Sequence, residues 1–292
     1  MATDYASDTG NAEPSLRRIA AAGFRHIQWI HHWRHDFIYT EPEIEHIAGV
    51  MAELGLSLYD IHAPAGAEKN WYSPVEYQRL AGVEIVKNRV EMCRRLGGSV
   101  IVTHVPKLIE ESLGTWAQLK RSLDQLEAFC VDRDVRIAVE NRPGDNFEGL
   151  GELFSEYGPH FLGLCYDSGH GNIGGGGLEH LESAKERLIS VHLHDNDGLA
   201  DQHAPLFTGT VDWPELARLI ARSPYRAFLT VETDMKFSGT DDEQRFLDRM
   251  YEDGRVFLGM LEAQQDFQSL SPSRQRRAAL AENLATLQPA TS

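Results

Sequence analysis

Seven short apolar runs recur along the chain, each separated from the next by a longer stretch with helical spacing. The runs are FRHIQWI (24–30), LSLYDIH (56–62), SVIVTHV (99–105), VRIAVEN (135–141), FLGLCYD (161–167), LISVHLH (188–194) and AFLTVET (227–233). They are rich in Val, Ile, Leu and aromatic residues, as strands buried on both faces of a parallel sheet are. TDYAS (3–7) lacks Val, Ile and Leu and stands as a weaker eighth candidate.

The intervening stretches carry helix punctuation. PSLRRIAAAG (14–23) opens on Pro and closes on Gly. TEPEIEHIAGVMAELG (40–55) has a Thr cap, then Pro, then acids, and ends on Gly. Helical spacing also marks 73–98, 113–134, 213–223 and 241–265. Strict β/α alternation implies a parallel sheet with right-handed crossovers. Eight such units in about 265 residues is the size of a (β/α)₈ TIM barrel. The rival is an open doubly wound sheet, for which a lone G-x-G-x-x-G would be weak evidence. GNIGGGG (171–177) lacks the Lys-Ser/Thr of a phosphate loop and reads as a flexible loop before a helix. The barrel is placed at 1–268 as one α/β domain, with a short helical tail over 269–292.

Charge narrows the functional classes. The chain carries 28 Lys+Arg against 44 Asp+Glu, a formal net charge of −16. That balance repels phosphate backbones, so nucleic acid is not an expected partner. Cys93, Cys130 and Cys165 form no CxxC pair and read as buried small hydrophobes in a reducing cytoplasm. The opening MATDYASDTG has no basic region followed by an apolar run. No run reaches the length of a membrane span, so neither secretion nor membrane insertion is expected.

The candidate chemistry lies at one place in each unit, the C-terminal end of the strand. His62, His104, Glu140, Asp167, His192 with His194, and Glu232 all sit there. In a β/α barrel these ends converge on one mouth. Three carboxylates brought together would repel one another and shift each other's pKa. A divalent cation neutralises them, and neutral imidazoles complete its sphere. Such a ligand set suits Mn²⁺, Zn²⁺, Co²⁺ or Mg²⁺. His192 and His194 share one face of their strand, so either can serve as ligand.

VEN, YDSGH, HLHDND and VET resemble the xylose-isomerase-like barrel superfamily across roughly residues 12–265. That group includes sugar and sugar-phosphate isomerases and epimerases, inosose dehydratases, hydroxypyruvate isomerases and endonuclease IV enzymes. By position, the resemblance implies a divalent site of Glu140, Asp167, His192 and Glu232. The H-x-x-D spacing to Asp195 selects His192. Glu140 and Glu232 would be the catalytic pair that moves a proton at a carbon next to a carbonyl, and His170 would contact a substrate oxygen. One departure stands out: the epimerase pattern has an arginine where this chain has Asp201-x-His203. With His170, that pair resembles the third zinc site of endonuclease IV, whose other histidines His62 and His104 match. The resemblance therefore implies one to three ions. It implies a sugar, sugar-phosphate or polyol isomerase, epimerase or related dehydratase. The alternative is a multinuclear zinc hydrolase of a small phosphodiester. A homodimer or homotetramer is implied by analogy.

Further residues read two ways. In WIHHWRHDF (29–37), Trp29 and His32 are either substrate contacts or loop packing. Lys69 and Lys107 meet a substrate anion or are plain surface. Arg142, directly after Glu140-Asn141, is placed to bind a substrate oxyanion. Asp195 and Asp197 either orient histidines or are loop acids. APLFTGTVDW (204–213) resembles the G-x-G-x-(I/V)-D-W segment of the sugar-isomerase branch, with Phe207-Thr208 ahead of Gly209.

Overall fold

Strands form where the apolar runs lie. The computed structural model describes residues 1–64, 66, 68–106 and 114–269. The strands are β1 (His26–Trp29), β2 (Ser57–His62), β3 (Val100–His104), β4 (Arg136–Glu140), β5 (Leu162–Asp167), β6 (Leu188–Leu193) and β7 (Thr230–Val231). They pair in parallel and in chain order. Residues 1–3 fill the gap between β7 and β1. Ala2 N–H donates to Val231 O at 2.9 Å, and Thr3 N–H donates to Gln28 O at 3.1 Å. The eighth strand thus begins just upstream of TDYAS, the weaker candidate of the sequence, and shares Thr3 with it. Met1 and Ala2 are buried in the closed sheet, whereas Asp4 brings a carboxylate that a ladder cannot bury unpaired. The result is a (β/α)₈ TIM barrel.

The helices are α1 (Glu13–Ala21), α2 (Glu41–Leu54), α3 (Glu76–Arg95), α4 (Thr115–Val131), α5 (Glu148–Glu156), α6 (Ser168–Asn172), α7 (Gly177–Ala184), α8 (Trp213–Arg222) and α9 (Glu243–Ser269). At α2, the Glu43 carboxylate accepts from both the Thr40 N–H and the Thr40 hydroxyl at 2.7 Å. Gly55 ends that helix at φ 63°, a conformation open to glycine. At α8, Asp212 caps by accepting the Glu215 N–H at 3.0 Å. Its Trp213 meets Phe257 of α9 edge-on at 5.4 Å. The short helices α5, α6 and α7 carry little signal of their own. Two glycines weaken α5, and burial of Leu150 and Leu153 holds it. GNIGGGG proves to be a defined left-handed link between α6 and α7, with Gly174, Gly175 and Gly176 at φ 78°, 74° and 81°.

Strand alternation leaves a polar layer inside the barrel beneath the mouth. Gln28, Asp60, Ser190 and His192 are all fully buried. Gln28 and Asp60 are register partners on β1 and β2. The Ser190 hydroxyl donates to Asp60 Oδ2 at 2.5 Å. The three cysteines are buried and unpaired. No helix among the described residues is long and apolar enough to cross a membrane. The tail over 270–292 and Lys107 lie outside the described residues.

Helix α3 packs tightly on the chain after β2. A Cβ on Gly82 would stand 2.3 Å from the Trp71 backbone nitrogen. Gly82→Ala is therefore expected to cost about 1–3 kcal/mol through overpacking, read as a lower urea midpoint. Gly49→Ala, where a Cβ meets open space, is the control and is expected to gain about 0.5–1 kcal/mol.

Candidate metal centre

The strand ends deliver the ligands. Register places His104 beside Glu140 and Asp167 beside His192. Three clusters of carboxylates and imidazoles result among the described residues: Glu140, Asp167, His192 and Glu232; His62, His104 and Glu140; and His170, His194, Asp201 and His203. Within each, one ligand atom per residue lies within 4.8 Å of the others. Glu140 belongs to two of them. Cys165 also lies by Glu140 and His192, but burial pushes its thiol up, which keeps it a neutral packing group.

In the first cluster, His192 Nδ1 lies 2.6 Å from Glu232 Oε2 and 3.3 Å from Glu140 Oε1. In the second, Glu140 Oε2 lies 3.3 Å from His62 Nε2 and 3.2 Å from His104 Nε2. In the third, Asp201 reaches His170 Nε2 at 3.2 Å and His203 Nε2 at 3.3 Å. His194 Nε2 lies 2.9 Å from Asp167 Oδ1 and 3.8 Å from Asp201 Oδ1. Several of these close approaches lack the angles of a hydrogen bond. Glu140 Oε2, Asp167 Oδ2, Glu232 Oε2, His104 Nε2 and His194 Nε2 are buried with no hydrogen-bond partner among the described residues. Buried lone pairs without a partner are costly. Lone pairs that crowd one space are what a cation satisfies, and the mixed carboxylate–imidazole donors fit a divalent one.

The imidazoles are oriented for that role. His62, His170, His203 and His194 place Nδ1 at 3.0, 2.9, 2.9 and 3.4 Å from the carbonyls of Ala63, Asn141, Glu232 and Asp195. Each Nδ1–H donates to the backbone, which leaves the Nε2 lone pair facing its cluster.

The charges are balanced by the same neighbours. Burial pushes the Glu140 carboxyl up, but His192 and His104 outweigh it and hold it well below the usual range. Glu232 is likewise lowered, by His192 against burial. Burial pulls His170 down, and Asp167 and Asp201 more than reverse it, to about 10. His203 reaches about 10 against burial through Asp201 and Glu232. A bound cation would take the place of those protons. Asp4, which follows the closing segment, is pushed to about 7 by burial and by Glu232; its polar run gave the sequence reading no reason to single it out.

Other residues fall outside the clusters or hold them. Trp29 points away from the mouth: its Nε1–H donates to Tyr39 OH at 2.9 Å. Together with His32, which stacks on Phe37 at 4.1 Å, it lines a cavity of about 150 Å³ between α1 and α2. The aromatic ring at the mouth is Trp33, 4.7 Å from His62 and 5.6 Å from His104. Lys69 is exposed, and its N–H donates to Asp36 at 3.1 Å. Arg142 is half-buried on the loop after β4. Asn141 clamps β4 to β5, accepting Asp167 N–H at 2.8 Å and donating to Asp167 O at 3.1 Å. The Asp195 carboxylate serves the loop, while its backbone carbonyl orients His194: the carboxylate accepts from Asn196 N–H, Val211 N–H and Trp213 Nε1–H at 2.9, 3.1 and 3.0 Å. Gly209 fits against this knot, where a Cβ would lie 2.1 Å from Asn196 O. Asp197 is exposed and accepts the Leu199 N–H at 2.9 Å.

Residues 16–250 match the family of xylose isomerase-like TIM barrels, and the chain belongs to that family. It is 36% identical over 250 residues to y4fM, an uncharacterized protein of Sinorhizobium fredii, covering 76% of this chain and 80% of that one. Among solved structures it is similar to an L-ribulose 3-epimerase, with 18% identity and a TM-score of 0.71 over 99% of this chain and 98% of the other. It is also similar to a D-tagatose 3-epimerase-like protein, with 20% identity and a TM-score of 0.69 over 86% and 94%. At these identities the likeness to the solved structures is one of fold.

The His194 ring stacks on His203 at 3.9 Å and lies over Gly169, where a Cβ would stand 1.9 Å from the imidazole. If the clusters hold a divalent metal, Gly169→Ala is expected to displace His194 and weaken its uptake, probed with Zn²⁺, by roughly tenfold or more. Chelator competition measures this, and an unchanged circular dichroism spectrum shows that the fold persists.

Proposed function

We propose that this chain is a divalent-metal-dependent isomerase or epimerase of a sugar, sugar phosphate or polyol, acting by proton transfer at a carbon next to a carbonyl. The observation that carries the reading is the pair Glu140 and Glu232, both buried and both within 3.3 Å of His192 Nδ1. Two carboxylates around one point are what two-base proton transfer needs. One takes the proton as the C–H bond breaks, and the other delivers a proton to the opposite face. A dehydratase begins with the same proton abstraction. When bound by Glu140, Asp167, His192 and Glu232, a divalent cation such as Mn²⁺, Zn²⁺, Co²⁺ or Mg²⁺ supplies charge to polarise the carbonyl. Trp33 offers an apolar ring beside the mouth, suited to the CH face of a sugar. The 3-epimerases named among the structural neighbours support the same reaction class.

A second reading has its own observation. Glu140 is shared by two clusters, and the third cluster carries four ligands of its own. That arrangement fits a multinuclear hydrolase of a small phosphodiester. The net charge of −16 sets it apart from a binder of duplex nucleic acid.

The test uses the metal-loaded full chain in D₂O with a panel of ketoses and inososes. Deuterium is expected at the exchanging carbon by NMR, reduced at least ~100-fold by Glu140→Gln or Glu232→Gln. Undiminished exchange in either variant contradicts the two-glutamate mechanism. Cleavage of bis(p-nitrophenyl) phosphate with no exchange on any sugar contradicts the isomerase reading and favours the second.

A further inference from the structure

We propose that Gln28 is a positioning residue that holds His192 in the tautomer able to bind metal through Nδ1. The proposal rests on the metal-centre reading above.

His192 is turned the opposite way from the other histidines. Four of them tie Nδ1 to a backbone carbonyl and present Nε2 to a cluster. His192 instead presents Nδ1, which lies 2.6 Å from Glu232 Oε2 and 3.3 Å from Glu140 Oε1. Its Nε2 faces inward, toward the polar layer beneath the mouth. There it meets no backbone carbonyl among the described residues. It meets the Gln28 side-chain amide, whose Nε2 lies 2.7 Å away.

Two nitrogens at 2.7 Å share only one proton, and which one donates decides the chemistry of the ring. If the amide NH₂ donates, His192 Nε2 must be a lone pair and Nδ1 carries the proton, which closes Nδ1 to metal. In that arrangement Gln28 Oε1 is left buried without a partner among the described residues. The two ends of an amide are nearly interchangeable in shape. Turned end for end, Gln28 places Oε1 at the imidazole, where it accepts an Nε2–H. The lone pair then falls on Nδ1, between Glu140 and Glu232.

The surroundings favour the turned amide. Asp60 Oδ2 lies 3.8 Å from His192 Nε2, and a carboxylate there favours a proton on that nitrogen. Asp60 Oδ1 is buried with no hydrogen-bond partner among the described residues. Asp60 is also the register partner of Gln28 on the neighbouring strand, so an NH₂ turned from His192 faces a strand with an acceptor to offer. The Ser190 hydroxyl fixes the other Asp60 oxygen at 2.5 Å. Gln28 therefore does for His192 what backbone carbonyls do for the other four.

The experiment uses the metal-stripped full chain and Zn²⁺ alone, titrated against a competing chelator. Gln28→Leu is expected to bind Zn²⁺ about 10- to 100-fold more weakly. Gln28→Glu, which keeps an acceptor at the same reach, is expected to restore the affinity. In the zinc-loaded wild-type chain, ¹⁵N NMR of the histidine rings is expected to show His192 protonated at Nε2. A proton on Nδ1 overturns the proposal, and this measurement decides it even where Gln28→Leu fails to fold. Zinc affinity indifferent to Gln28→Leu in a folded variant overturns the proposal alone. A wild-type chain that takes up none of Zn²⁺, Mn²⁺, Co²⁺ or Mg²⁺ removes the metal-centre reading and the proposal with it.

Discussion

The mouth of the barrel gathers Glu140, Asp167 and Glu232 where almost no water reaches them. Three like charges in such a place are unfavourable unless something positive stands among them. The chain answers with imidazoles. Six histidines from five different segments turn a ring nitrogen toward these carboxylates or toward Asp201. Five of them, His62, His170, His192, His194 and His203, have the other nitrogen tied down behind them. Every part of the site follows from this need to surround buried negative charge with groups that can hand over to a metal ion.

The barrel makes that crowding possible. Parallel strands all end at the same rim, so one polar residue per strand suffices to build a multidentate site. Small residues at the rim let the ligands approach. Gly169 leaves room for His194, and Gly209 lets the Asp195 knot close. Asn141 locks the ends of β4 and β5 together, which fixes Glu140 relative to Asp167. The mouth is held by packing and backbone hydrogen bonds before any ligand arrives, the condition under which a site is organised in advance.

Much of this was legible in the sequence because two simple periods govern it. Strand alternation and β/α order place His62, His104, Glu140, Asp167, His192 and Glu232 on one rim. What escaped depends on single-residue register. The register of β1 shifts between Ile27 and Gln28. Gln28 thus faces the interior and Trp29 the helices, while the ring over the mouth belongs to Trp33. A lone Gln in an apolar run gives no warning that it touches a histidine from the far side of the barrel. His194 shares a face with His192, but its place in the third cluster depends on Gly169 being a glycine. The closing strand at residues 1–3 is short and weakly apolar. Its pairing comes from the gap left between β1 and β7, a tertiary fact that no local pattern carries.

The account stands on the claim that the crowded mouth is a cation site. Elemental mass spectrometry on the full chain, purified without added metal or chelator, tests this most directly. One to three equivalents of a divalent metal per chain, lost when Glu140 is replaced by Ala, is the result the account predicts. Protein that folds, carries no divalent metal and takes none up on dialysis against Mn²⁺, Zn²⁺, Co²⁺ or Mg²⁺ would contradict it.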